Sequence, residues 1–249
     1  MGEVATPPAI SVPLNRQRAG RWFYIGTALI AILTVIAGFG PSLINTATRN
    51  GPVTPIVLWH AFFSLSWLLI FLVQASLIRK RRVALHRRLG AVSALVAVAV
   101  MVTGYMTILE MTRRGFDLSG DLAFKSHTLS LGPLSNLIAF GVLVAAGYWN
   151  RGQGEIHKRL MVLAINGGLM PAPLAHVFGH SAALRGEGAL FLFTVMVFLF
   201  AGAAYDRYAS GHFCRVSLLG GIAILIWDAA AIAVGRSATW HQFSAWLLR

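Results

Sequence analysis

The sequence contains one cysteine, Cys214. A lone thiol cannot close an intramolecular disulfide, and it cannot hold a Cys-ligated iron–sulfur cluster within the chain. Acidic residues are also scarce, with 8 Asp and Glu against 21 Lys and Arg. Charged residues of both signs make up only 12% of the 249 residues, while 57% are hydrophobic. That balance cannot coat a soluble domain with polar surface. No P-loop, no GxGxxG after a strand and no GxSxG is found, which removes the usual nucleotide-binding and serine-hydrolase signatures. The last apolar run has no lysine, which excludes a retinal Schiff base.

What is present is a series of long apolar runs. They fall near 22–40, 54–78, 87–109, 128–149, 158–180, 188–206 and 214–235. Most reach the roughly 18 residues expected of a spanning helix, and in hydrocarbon only a helix satisfies its own backbone. The expectation is an all-α polytopic membrane protein with about seven transmembrane helices. Residues 1–21 read as a cytoplasmic N-terminal segment, 22–235 as one transmembrane domain, and 236–249 as an interfacial tail carrying Trp240 and Trp246. The first run reads as a retained signal anchor. The fifth is interrupted by Gly167, Gly168, Pro171 and Pro173, which invites a bend.

The net charge of +13 does not point to nucleic acid, because the basic residues sit in short loops between apolar runs. With the N-terminus inside, 14 of the 21 Lys and Arg fall on inner segments, among them Arg79, Lys80, Arg81, Arg82, Arg87, Arg88, Lys158 and Arg159. This bias predicts a cytoplasmic N-terminus and a periplasmic C-terminus in a cell inner membrane, with lipid headgroups as the immediate partner.

An ionisable residue inside a membrane is costly and is a functional candidate by default. The predicted topology puts His60, His127, His176 and His180 near the outer face, with Glu110 and Asp228. His86 and His157 fall near the inner face. A weak parallel repeat relates the two halves of the chain's middle. His60 precedes Ala84-Leu85-His86-Arg87-Arg88-Leu89-Gly90 as His127 precedes Glu155-Ile156-His157-Lys158-Arg159-Leu160-Met161. The two His-to-His intervals are 26 and 30 residues, about one helical turn apart. This predicts a pseudo-symmetric four-helix core over residues 54–180, with the first, sixth and seventh helices peripheral. Two layers of two histidines on four consecutive helices suit two bis-His b-type haems. Small residues share the histidine faces: Gly90, Ser93, Ala97, Met101 and Gly104 after His86, and Ala164, Gly168 and Pro171 after His157. Ser64, Trp67 and Gln74 follow His60 on its own face.

The stretches VLWHAFFSLSWLLIFLVQASLIRKRR, ALHRRLG and FKSHTLSLG resemble the cytochrome b561 core in helix order and in the placement of four histidines. The resemblance covers about half of the chain. It implies transmembrane electron transfer from a quinol or small reductant, with haem b on His60 and His127 at the outer side and on His86 and His157 at the inner side. The LHRRLG and IHKRLM elements also resemble two uncharacterised bacterial membrane families, one of which includes a cytochrome oxidase assembly factor. That likeness implies a non-enzymatic scaffold with a respiratory-chain partner or a homo-oligomer.

The outer cluster has a second chemistry. His176 and His180 stand at i and i+4, a spacing that can chelate one metal ion. With His60, His127, Glu110 or Asp228 they are expected to form a zinc, copper or iron site of a membrane enzyme. Asp228 alternatively pairs with Asn45, Asn166 or a histidine.

Overall fold

The computed structural model describes residues 14–45, 52–115, 129 and 131–248. Among them the chain forms nine α-helices and no strand. They are α1 (Leu14–Ile44), α2 (Pro55–Arg79), α3 (Val83–Arg114), α4 (Leu131–Trp149), α5 (Gly154–Leu163), α6 (Pro171–His180), α7 (Gly188–Ser210), α8 (Arg215–Gly235) and α9 (Ala238–Leu247). A π-helical turn, Ala164–Leu169, joins α5 to α6, so the three form one span, Gly154–His180.

Seven of these spans are long and apolar enough to cross a membrane. Large apolar side chains point outward all round the bundle, with Leu33, Leu95, Phe193 and Ile226 each more than 60% exposed. Water would not tolerate such a surface, and hydrocarbon does. The protein is a multi-pass membrane protein. The sequence reading of seven spans therefore holds, including the fifth.

Local chemistry sets the helix ends. Pro55 opens α2 at a position where its missing N–H costs nothing. Gly115 and Gly211 take left-handed φ values of 76° and 80° and close α3 and α7. Between α2 and α3 only three residues intervene, and Arg81 is left-handed there at φ 57°. This tight turn lays α2 and α3 antiparallel along their full length.

The fifth span is the centre of the molecule. Buried residues fill 61% of its apolar window, against 11–33% in the other spans. Its π turn is gripped on both sides. A Cβ at Gly168 would come within 2.7 Å of the Phe140 Cα on α4, and one at Gly167 within 2.7 Å of Ile224 on α8. The buried Asn166 amide donates to the Phe198 carbonyl of α7 at 2.7 Å. Ala31 of α1 belongs to the main core cluster with Trp67, Val100, Phe140 and Ile165, while Leu163, Leu199 and Ile224 form a second one. The first, sixth and seventh spans thus pack directly on the fifth. They complete a sheath around it instead of standing beside a self-contained four-helix core.

Candidate functional site

α3 and α5 both start at the end of the bundle that carries Arg79–Arg88, here called the basic end. Each presents a histidine from its first turns. The rings of His86 and His157 face one another with centroids 6.1 Å apart and planes at 82°. The His157 Nδ1–H donates to the Gly147 carbonyl of α4 at 2.8 Å, which leaves the Nε2 lone pair available in the neutral ring. His86 Nδ1 is buried and has no protein partner among the described residues. Backbone steadies the His157 ring, and each of the two rings leaves a nitrogen over. That is how a protein fixes imidazoles that bind metal.

The spacing has a chemical meaning. With metal–imidazole bonds of about 2 Å, two rings this close could both reach one metal ion. Gly90, one turn further along α3, keeps the space beside His86 open: a Cβ there would meet only the Gln74 amide, at 3.8 Å. Arg82, Arg87 and Arg88 flank His86 in sequence and are exposed. The two histidines stand side by side at the basic rim of the bundle.

At the opposite end the picture is partial. His60 packs over Gly104, where a Cβ would lie 2.9 Å from its Cε1. Its Nδ1 is 3.4 Å from the Thr103 hydroxyl. The glycine at 104 is thus explained by the imidazole that occupies its place. His127, the expected partner, lies outside the described residues.

The other outer candidates are dispersed. The ring centroids of His176 and His180 are 6.3 Å apart, so the i, i+4 spacing does bring them together. Among the described residues both contact α1: His176 packs on Phe39 at 4.5 Å, and the His180 Nε2–H donates to the Gly38 carbonyl at 3.0 Å. Glu110 is taken by Arg114 at 2.8 Å and by the Thr54 hydroxyl at 2.8 Å. Asp228 accepts from Ser135 at 3.3 Å, a structural pairing with a residue the sequence did not suggest. Among the described residues no three His, Cys, Asp or Glu converge.

One polar network was not anticipated. Arg159 grips Asp206 through Nε and Nη2 at 2.7–3.1 Å, and Asp206 is only 3% exposed. Ser217 donates to the same carboxylate at 2.5 Å, and Glu155 takes the remaining face of the guanidinium at 2.6 Å. This ties α5 to α7 and α8 next to Phe23, Tyr24 and Tyr205. Sequence reasoning treated Arg159 as an orientation charge. The available signal was Asp206 itself, an acid inside an apolar run that required a counter-charge.

No protein-family model, no curated protein and no solved structure matches this chain.

Proposed function

We propose that the chain is an electron-transfer protein of the inner membrane, with b-type haem held by paired histidines. The observation that carries this reading is the His86–His157 pair, two imidazoles with ring centroids 6.1 Å apart, each with a nitrogen left over. A haem bound there would supply one-electron exchange between ferric and ferrous iron. The chain's own residues have definite tasks. His86 and His157 present their uncommitted nitrogens. The Gly147 carbonyl holds the His157 tautomer. Exposed Arg82, Arg87 and Arg88 would offset the charge of haem propionates and attract an anionic partner from the aqueous side. His60 and His127 would serve a second haem at the opposite end. The Trp67–Phe140 layer lies between the two levels, with ring centroids 4.9 Å apart.

The excess of Lys and Arg at the basic end supports a cytoplasmic N-terminus and a periplasmic C-terminus. A quinol or other small reductant fits as electron donor. A lone transition-metal ion on the same two imidazoles is the second reading, favoured by the same free nitrogens. Expression with ample haem, followed by an optical spectrum and metal analysis on one purified sample, separates these. A Soret band with stoichiometric iron is the expected result. Stoichiometric metal without porphyrin supports the second reading, and neither signal removes both.

A further inference from the structure

Six buried side-chain polar atoms have no protein hydrogen-bond partner among the described residues: Ser64 Oγ, Trp67 Nε1, Gln74 Oε1, His86 Nδ1, Thr107 Oγ1 and Ser244 Oγ. Five of the six lie on α2 or α3. Unpaired buried polar atoms are rare and expensive, and the proposed iron would account for His86 Nδ1 alone, so the other four on one helix pair call for a cause.

Their register places them along one seam. His60 packs over Gly104, and the Gln74 amide lies beside Gly90. Both contacts obey one antiparallel alignment, because 60 to 74 and 104 to 90 are each 14 residues. On that alignment the order from the opposite end to the basic end is Thr107, His60 with Thr103, Ser64, Trp67, Gln74, and His86 beside His157. From Thr107 to His86 is 21 residues of α3. At 1.5 Å per residue that is about 31 Å, close to the whole hydrocarbon thickness. Each group can accept or donate to water, and a polar, enclosed seam is where buried water resides. The series has one wide gap. Between Ser64 and Gln74 the one buried unpaired polar atom among the described residues is the Trp67 indole nitrogen, although Ser93 of α3 also lies at this level. That ring is 1% exposed and wedged against Phe140, beside Leu68 and Val100.

We infer that the α2–α3 seam is a hydrated proton path across the membrane, closed at rest by the Trp67 indole. Water is the occupant. A proton entering at one end is passed between water molecules and the Gln74, Ser64 and Thr107 oxygens. Each group releases what it receives, so no redox partner is consumed. His86 and His157 stand at one mouth and His60 near the other. The inference does not depend on a bound haem.

The test uses the purified full chain in liposomes with an internal pH dye and a valinomycin-clamped potassium gradient. Wild type is expected to pass protons slowly. Trp67→Ala is expected to raise proton flux at least tenfold over wild type, selectively over chloride, and adding Gln74→Leu is expected to remove the gain. Ser76→Ala, whose hydroxyl is already bonded to the Leu72 carbonyl at 2.8 Å, is expected to change nothing in the same background. Equal flux in Trp67→Ala and wild type, an unselective leak, or a gain that survives Gln74→Leu overturns the inference. Should Trp67→Ala fail to fold, radiolytic labelling of wild type decides, because it marks side chains next to bound water. Oxidation of Trp67 despite its burial is expected, and an unlabelled Trp67 overturns the hydrated seam.

Discussion

Charged and polar residues inside the bundle fall into those with partners on the chain and those without, and the two groups call for different experiments. Arg159 and Asp206 are the clearest of the first kind. Removing one partner of a buried ion pair strands the other, which typically costs about 3–5 kcal/mol, whereas replacing both by apolar groups is often close to neutral. Arg159→Leu should therefore destabilise strongly, and the Arg159→Leu/Asp206→Leu double variant should recover most of the loss. Detergent-titrated unfolding of the three proteins checks this. A double variant no better than the single would mean that Glu155 and Ser217 carry the network. Asp206 signals a need for a counter-charge, but its partner is not legible in sequence, because the two are 47 residues apart and nothing in either local sequence names the other. The histidines were more legible. Each costs so much in a membrane that its presence alone marks it. What spacing could not show was which way each ring turns. His157 and His176 share the fifth span, yet one faces α3 and the other α1.

That divergence belongs to the element scale. Pro171 and Pro173 each lack an N–H, and the chain absorbs the loss in the π turn just before them, where Gly167 and Gly168 admit the neighbouring helices. The sequence announced an interruption, and the structure shows it as a turn of wider helix clamped between α4, α7 and α8. The small residues at Gly104 and Gly168 were read as room beside a haem. At these two positions they serve close packing instead, of the His60 ring and of the Phe140 backbone. Gly168→Val should thus force α4 and the fifth span apart and cost about 1–3 kcal/mol. Gly26 has nothing within 4 Å of its would-be Cβ, so Gly26→Ala should be neutral or gain up to about 1 kcal/mol from helix propensity. Unfolding midpoints of the two variants, measured side by side, test the contrast. Equal effects would show that the π turn is not under the constraint described.

At the scale of the whole molecule, hydropathy alone carried the seven spans. A helix in lipid has no other way to satisfy its backbone, so the pattern is dictated segment by segment. The arrangement of the spans was not legible in the same way. An internal repeat suggested a four-helix core, but packing on the fifth span is decided by its burial against α1, α4, α7 and α8 together. Orientation rests on the distribution of Lys and Arg. It predicts that alkaline phosphatase fused after Arg249 is active in intact cells and that the same enzyme placed in the Arg79–Val83 turn is inactive. The reverse pattern would invert the bundle and put the His86–His157 pair on the outer side. On the proposed function these two imidazoles share one iron at the basic rim. Near-infrared magnetic circular dichroism of the purified protein, with wild type and His86→Met compared, tests it most directly. Bis-imidazole ligation in wild type, changing to His/Met ligation with a raised midpoint potential in the variant, is the predicted result. An axial signature that is identical in the two proteins would contradict it.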